Sequence, residues 1–170
     1  MESNLLKLFG DVDYLAECAS NVDLRCHINY IRSERIYARD NSETGAYFSA
    51  VCKSHCKSID AAFLVLFVYS LHDFEEWPKN KPLEIEKNEW KGYLRNIWIP
   101  EYLLNDKAMS ISFRQTNDIE RFEIADNIIG SAISSPVLSI IHYGYEERYS
   151  FEYIIETETE FIDFQSWTTA

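Results

Sequence analysis

Cys52-x-x-His55-Cys56 is the densest local cluster of soft metal ligands in the chain. On a helix the three side chains share one face, and Cys26-His27 would add two more ligands, giving the thiolate and imidazole set that zinc takes. The paired C-x-x-C knuckles of structural zinc sites are missing, and cysteine is often buried as a small apolar residue. A radical S-adenosylmethionine cluster would need a third cysteine shortly after Cys56, where Ile59 stands. No metal and no other cofactor is expected.

Nucleophilic catalysis needs a Ser or Cys beside a His, and any of His27, His55, His72 and His142 can meet one only in the fold. There is no G-x-S-x-G elbow, no phosphate-binding glycine loop and no H-E-x-x-H. Carboxylate pairs such as Asp11 with Asp13 or Glu75 with Glu76 arise by chance among 28 acids. No catalytic residue is assigned. A small Cys/His metal-dependent enzyme centred on Cys52, His55 and Cys56 stands as an alternative.

A different chemistry lies near the C-terminus. Between Glu146 and Asp163 there are seven acids (Glu146, Glu147, Glu152, Glu156, Glu158, Glu160, Asp163) and one base, Arg148. If this stretch is one extended strand, Glu156, Glu158 and Glu160 project from the same side at intervals of about 6.6 Å, with Ile155, Thr157, Thr159 and Phe161 opposite. Such a row matches alternate phosphates of a nucleic-acid strand, which carries one charge per roughly 3.4 Å of duplex axis, and suits a basic cleft. Tyr143, Tyr145, Tyr149 and Tyr153 precede it and Phe164 and Trp167 follow it, and Tyr and Trp are common interface anchors. The same pattern also describes an ordinary solvated edge whose like charges prevent aggregation. The partner-binding residues expected are Glu156, Glu158, Glu160, Asp163, Trp167, Glu146 and Glu147. A weaker acidic candidate is Asp73-Phe74-Glu75-Glu76-Trp77 at a helix end, where acids oppose the macrodipole.

The elements that must carry these residues follow from periodicity. Leu5, Leu8, Val12, Leu15, Ala16 and Ala19 predict a helix over 5–19, weakened at Gly10. Leu24 to Ile31 fits strand or helix, with helix preferred. Asn41 to Gly45 is a turn, Ala46–Lys57 and Ile59–Glu76 read as helices, and Pro78 and Pro82 break the second. Leu83–Ile99 is a helix or an aromatic-rich irregular segment. Met109–Phe113 alternates as a strand and Asp118–Ile133 as a helix. Val137–Tyr143 and the alternation of Tyr149, Phe151, Tyr153 and Ile155 make the strongest strand pair. Helices first and strands later predict an α+β fold, a helical N-terminal half packed on a small, mainly antiparallel sheet from the C-terminal half.

The 170 residues suit a single domain, 1–170, and the 46% hydrophobic content, with only five Gly and four Pro, excludes disordered and repeat architectures. The start of the chain lacks the features of a secretory signal, and Ile59–Leu71 is too short and too interrupted to span a bilayer. Four cysteines without an export signal suit reduced thiols, so the cytoplasm is the expected location. A net charge of -12 disfavours direct nucleic-acid binding and anionic membranes, and favours a basic protein partner. These features lead to an acidic binding protein, a bacterial immunity protein or antitoxin neutralising a basic nuclease toxin. A nucleic-acid-mimicking inhibitor of a host defence nuclease is the nearest alternative. The oligomeric state is left open.

Overall fold

The computed structural model describes residues 2–38, 41–73, 92, 114–143 and 150–168. Helices α1 (Glu2–Gly10) and α2 (Val12–Ser20) replace the single N-terminal helix expected. Asp11 separates them: its backbone is extended, and its side chain accepts a hydrogen bond from the Tyr14 amide at 3.0 Å, capping α2. Two short 3₁₀ turns, Leu24–Cys26 and Ile28–Tyr30, then lead into strand β1 (Ile31–Ala38) and its neighbour β2 (Asn41–Cys52).

Strand β2 corrects the helix expected over 46–57. Ala46, Phe48 and Ala50 pack on one side of the sheet and Val51 on the other, with Tyr47 and Ser49 also buried. A strand covered on both faces has no polar side, and so loses the period-two signature that a half-exposed strand shows. Helix α3 (Ile59–Asp73) follows a turn in which Cys52 O accepts from both His55 N and Cys56 N. Nine of its residues are buried, from Ile59 to Leu71, as expected for a helix packed on both the sheet and the other helices.

Later come β3 (Arg114–Thr116), a 3₁₀ turn (Glu123–Ala125), the short helix α4 (Asp126–Ala132), β4 (Val137–Tyr143), β5 (Ser150–Thr157) and β6 (Glu160–Thr168). Helix α4 is the only α-helical part of the long helix expected over 118–133. The expected elements at 83–99 and 109–113 lie outside the described residues, as do Pro78 and Pro82 and the end of the helix expected to run to Glu76.

The six strands form one antiparallel sheet in the order β1-β2-β6-β5-β4-β3. The β4–β5 pairing matches the expected strand pair, with Ile140 opposite Ile155. The class is α+β, but the division into a helical first half and a C-terminal sheet is not what forms. Strands β1 and β2 come from the first half, and β2 pairs with β6 across the middle of the sheet. Each face carries its own core. Leu5, Leu15, Phe63 and Leu66 from α1–α3 meet Val51, Ile154 and Phe161 on one face, while Ala125, Ile128 and Ala132 meet Phe48, Tyr153, Ile155 and Phe164 on the other. Strand β6 supplies both cores from alternate residues, so its polar positions are enclosed as well.

Candidate functional site

The acidic stretch is a hairpin, not a continuous strand. Strand β5 ends at Thr157, Glu158 and Thr159 make the turn, and β6 begins at Glu160. The Thr157 hydroxyl accepts from Glu160 N at 2.9 Å and donates to Glu160 O at 3.1 Å, closing the turn from inside. The chain reverses between them, so Glu156, Glu158 and Glu160 cannot stand in one row. The even spacing expected of a phosphate-like array is therefore absent from this segment.

Each acid has a separate setting. Glu156 lies across from Lys53, whose ammonium donates to it at 2.6 Å, on the same sheet face as Ile154. Glu158 is exposed at the turn. Glu160 is only 7% exposed and faces the opposite side, where Arg32 grips it through Nε at 2.8 Å and Nη2 at 2.6 Å. The same guanidinium donates to Ser131 O at 2.6 Å and Ala132 O at 2.9 Å, satisfying carbonyls at the end of α4. Ser134 adds a hydrogen bond to the carboxylate at 3.1 Å. The bond from Arg32 holds the Glu160 carboxyl below its usual range.

Asp163 is 2% exposed, on the helical face of β6. Tyr143 donates its hydroxyl to Oδ1 at 2.6 Å, and Gln165 Nε2 donates to Oδ2 at 3.2 Å. Burial outweighs these bonds and pushes the carboxyl up to about 6, while burial also raises the Tyr143 phenol. Tyr47 continues this polar layer on β2, its phenol likewise raised by burial, with the Arg35 guanidinium 5.1 Å from its ring centre. Arg35 in turn pairs with Asp73 at the end of α3, at 3.1 Å.

Trp167 is half-buried, opposite Gly45 in the β2–β6 register, and meets Tyr37 edge to face at 6.0 Å. Glu146 and Glu147 lie outside the described residues, as does most of the Asp73–Trp77 stretch. Of the seven acids and aromatics expected to contact a partner, Glu158 is the exposed one among the described residues.

Its surroundings add what the sequence did not single out. Glu158 N donates to Pro136 O at 2.9 Å, and the hydroxyls of Ser135 and Thr159 lie 2.8 Å apart, so the segment before β4 is tied to the hairpin turn. Beyond Pro136, Val137 is 39% exposed and Leu138 56% exposed. The exposed acid thus sits on a turn whose backbone is tied to the residue that immediately precedes two exposed aliphatic positions.

The cysteine and histidine cluster assembles only in part. Cys18, Cys26, Cys52 and Cys56 are all free thiols, and Cys56 is buried, which pushes its thiol up. The contact that forms is between His27 Nδ1 and His55 Nε2, at 2.9 Å. Burial, followed by the neighbouring His55, lowers the pKa of His27. Among the described residues no group of three or more His, Cys, Asp or Glu side chains is placed to hold a metal ion.

Comparison with protein families, with curated proteins and with solved structures gives no match. No helix among the described residues is long and apolar enough to cross a membrane.

Proposed function

We propose that this chain is an acidic binding protein that silences a basic partner, in the manner of a cytoplasmic immunity protein covering the cleft of a nuclease toxin. The observation that carries this reading is charge. Each ion pair in the described fold joins one acid to one base, so internal pairing leaves the formal surplus of -12 untouched. Described residues hold 18 acids against 8 bases, which assigns most of that surplus to the sheet and the helices packed on it. A field of one sign raises the capture rate of an oppositely charged protein, and desolvated apolar contacts then slow its release.

The contact surface that best suits this reading is the hairpin turn bearing Glu158, together with Val137 and Leu138 of the segment tied to it. An acid and exposed aliphatic groups on joined segments offer both steering and burial, whereas Glu160 and Asp163 are turned inward and brace the sheet. The test is affinity capture from lysate of the source organism at low salt, salt-gradient elution and nuclease assay of what elutes. A stoichiometric basic protein whose nuclease activity is silent in the complex and returns on separation supports the reading. A bound nuclease that stays fully active in the complex refutes it.

A further inference from the structure

His27 and His55 come from separate turns, and each is held by backbone bonds. His27 N donates to Leu24 O at 2.9 Å and its carbonyl accepts from Tyr30 N at 2.8 Å, while His55 N donates to Cys52 O at 2.9 Å. Tyr30 stacks on the His55 ring at 4.1 Å between centroids and 16° between planes. His27 Nδ1 and His55 Nε2 meet nearly head to head at 2.9 Å, with the ring centroids 5.0 Å apart. Such a contact is a hydrogen bond that needs one proton and one lone pair between the rings.

That requirement makes the contact respond to pH in two steps. With both rings neutral, one donates from its facing nitrogen and the other accepts. A first proton enters at the far nitrogen of the donor ring, and the imidazolium then donates to its neighbour in a stronger, charge-assisted bond. A second proton can bind only at the facing lone pair, which leaves two cations, each with an N–H at the contact and no acceptor between them. We propose that the His27–His55 contact is a pH-sensitive latch between the 24–27 turn and the β2–α3 turn, closed while one facing lone pair remains and open when both rings are imidazolium. His27 is the ring that lets go. Burial, followed by His55, holds its pKa below the ordinary 6.5, so the latch is closed above that value and is lost as pH falls through the lowered one. His55 keeps its place, because a protonated imidazole is still attracted to the face of the Tyr30 ring stacked on it.

Around the pair, Asp23 attracts a proton to His27, but its carboxylate is already bonded by Arg25 Nε at 2.9 Å and Nη2 at 3.0 Å. Cys26 and Cys52 are exposed thiols, and the Cys56 thiol, raised by burial, stays neutral over this range. On the β2–α3 turn Lys53 is paired with Glu156 and Lys57 is exposed, while Asp60 in the first turn of α3 accepts from Asn4 at 3.2 Å.

Hydrogen exchange of the full chain at pH 7.5 and pH 4.5, expressed as protection relative to an unstructured chain at the same pH, tests the latch. The amides of His27 and Tyr30 should lose protection several-fold at pH 4.5. Those of the β2–β6 pair should not, because Asp163 takes up its proton over the same range and the sheet gains stability. An NMR scalar coupling between His27 Nδ1 and His55 Nε2 should report the bond directly at pH 7.5 and vanish at pH 4.5. His27→Gln removes the titrating ring, and should make the protection of Tyr30 independent of pH. No coupling at pH 7.5, unchanged protection in the wild-type chain, or a pH dependence that survives His27→Gln overturns the latch.

Discussion

Glu160 and Arg32, 128 positions apart in the chain, form a two-point carboxylate–guanidinium pair that also closes the end of α4. One arginine on β1 therefore binds β6 and the α4 helix at once, and the second core lies beneath that junction. Removing the arginine leaves an enclosed carboxylate that keeps the Ser134 hydroxyl as a side-chain donor, and two helix-end carbonyls without the guanidinium that bonded them. Breaking a buried pair costs about 3–5 kcal/mol, and the partial exposure of Arg32 moves the expectation to about 2–4 kcal/mol for Arg32→Ala. Glu160→Gln, which keeps acceptor and shape, should cost less. Urea denaturation of both variants and of the double variant measures this, and additive losses would show that the two residues do not act as a pair.

Asp163 predicts a pH dependence of stability. Its carboxyl is raised by burial from an ordinary value of 3.8 to about 6 in the folded chain. Between those two values the folded state keeps a proton that the unfolded state has released, so stability falls as pH rises from about 4 to 6 and levels off above. At roughly 1.4 kcal/mol per pKa unit the change is up to about 3 kcal/mol. Glu160 works in the opposite sense. Its carboxyl is lowered by Arg32, so its contribution is present above the ordinary 4.5 and is lost as pH falls through the lowered value. Asp163→Asn should abolish the decline between pH 4 and 6 and leave the more acidic loss in place. Denaturation curves of the two proteins at pH 4, 5, 6 and 7 test it, and a constant difference between them would exclude Asp163 as the source.

Gly45 on β2 has no room for a side chain between β1 and β6. A Cβ there would stand 2.6 Å from Trp167 Cζ2 and 2.8 Å from Ile36 O on β1. The indole can shift, but the backbone carbonyl is fixed by the β1–β2 register. Gly45→Ala should therefore destabilise by about 1–3 kcal/mol, the usual cost of forcing added volume into a packed site. Trp167→Ala in the same chain should relieve only part of that loss. Full relief in the double variant would show that the indole alone sets the limit.

Different parts of this fold were legible in the sequence to different degrees, for physical reasons. The β4–β5 pair was readable because Phe151, Tyr153 and Ile155 alternate with Ser150, Glu152 and Glu156, interrupted by the apolar Ile154. Strand β2 was hidden because cores on both faces make 46–51 uniformly apolar or small, and then the helical spacing of Cys52, His55 and Cys56 suggests a helix that is in fact a turn. The hairpin turn was hidden because Glu158-Thr159 carries none of the Asn or Gly that normally marks a two-residue turn. Glu and Thr simply continue the alternation through it. The partners of Glu160 and Asp163 were beyond local reading altogether, since Arg32 and Tyr143 reach them only through sheet topology.

The binding surface can be tested apart from the fold because its residues contribute little to the core. Leu138 is 56% exposed and Glu158 lies at the exposed turn, so Leu138→Asp and Glu158→Lys should each change stability by no more than about 0.5 kcal/mol. Their effects on a captured basic partner should differ in kind. Reversing the charge at Glu158 removes steering, and should slow association several-fold at low salt with little change near 1 M salt, where the Debye length is only about 3 Å. Placing a carboxylate at Leu138 removes apolar contact instead, and should speed dissociation about tenfold or more with a weak salt dependence. Surface plasmon resonance at two salt concentrations separates the two rates. Glu156→Gln serves as the internal comparison, because Lys53 already neutralises that carboxylate at 2.6 Å. If Glu156→Gln slows association as much as Glu158→Lys while Leu138→Asp leaves dissociation unchanged, the partner docks elsewhere than at the turn.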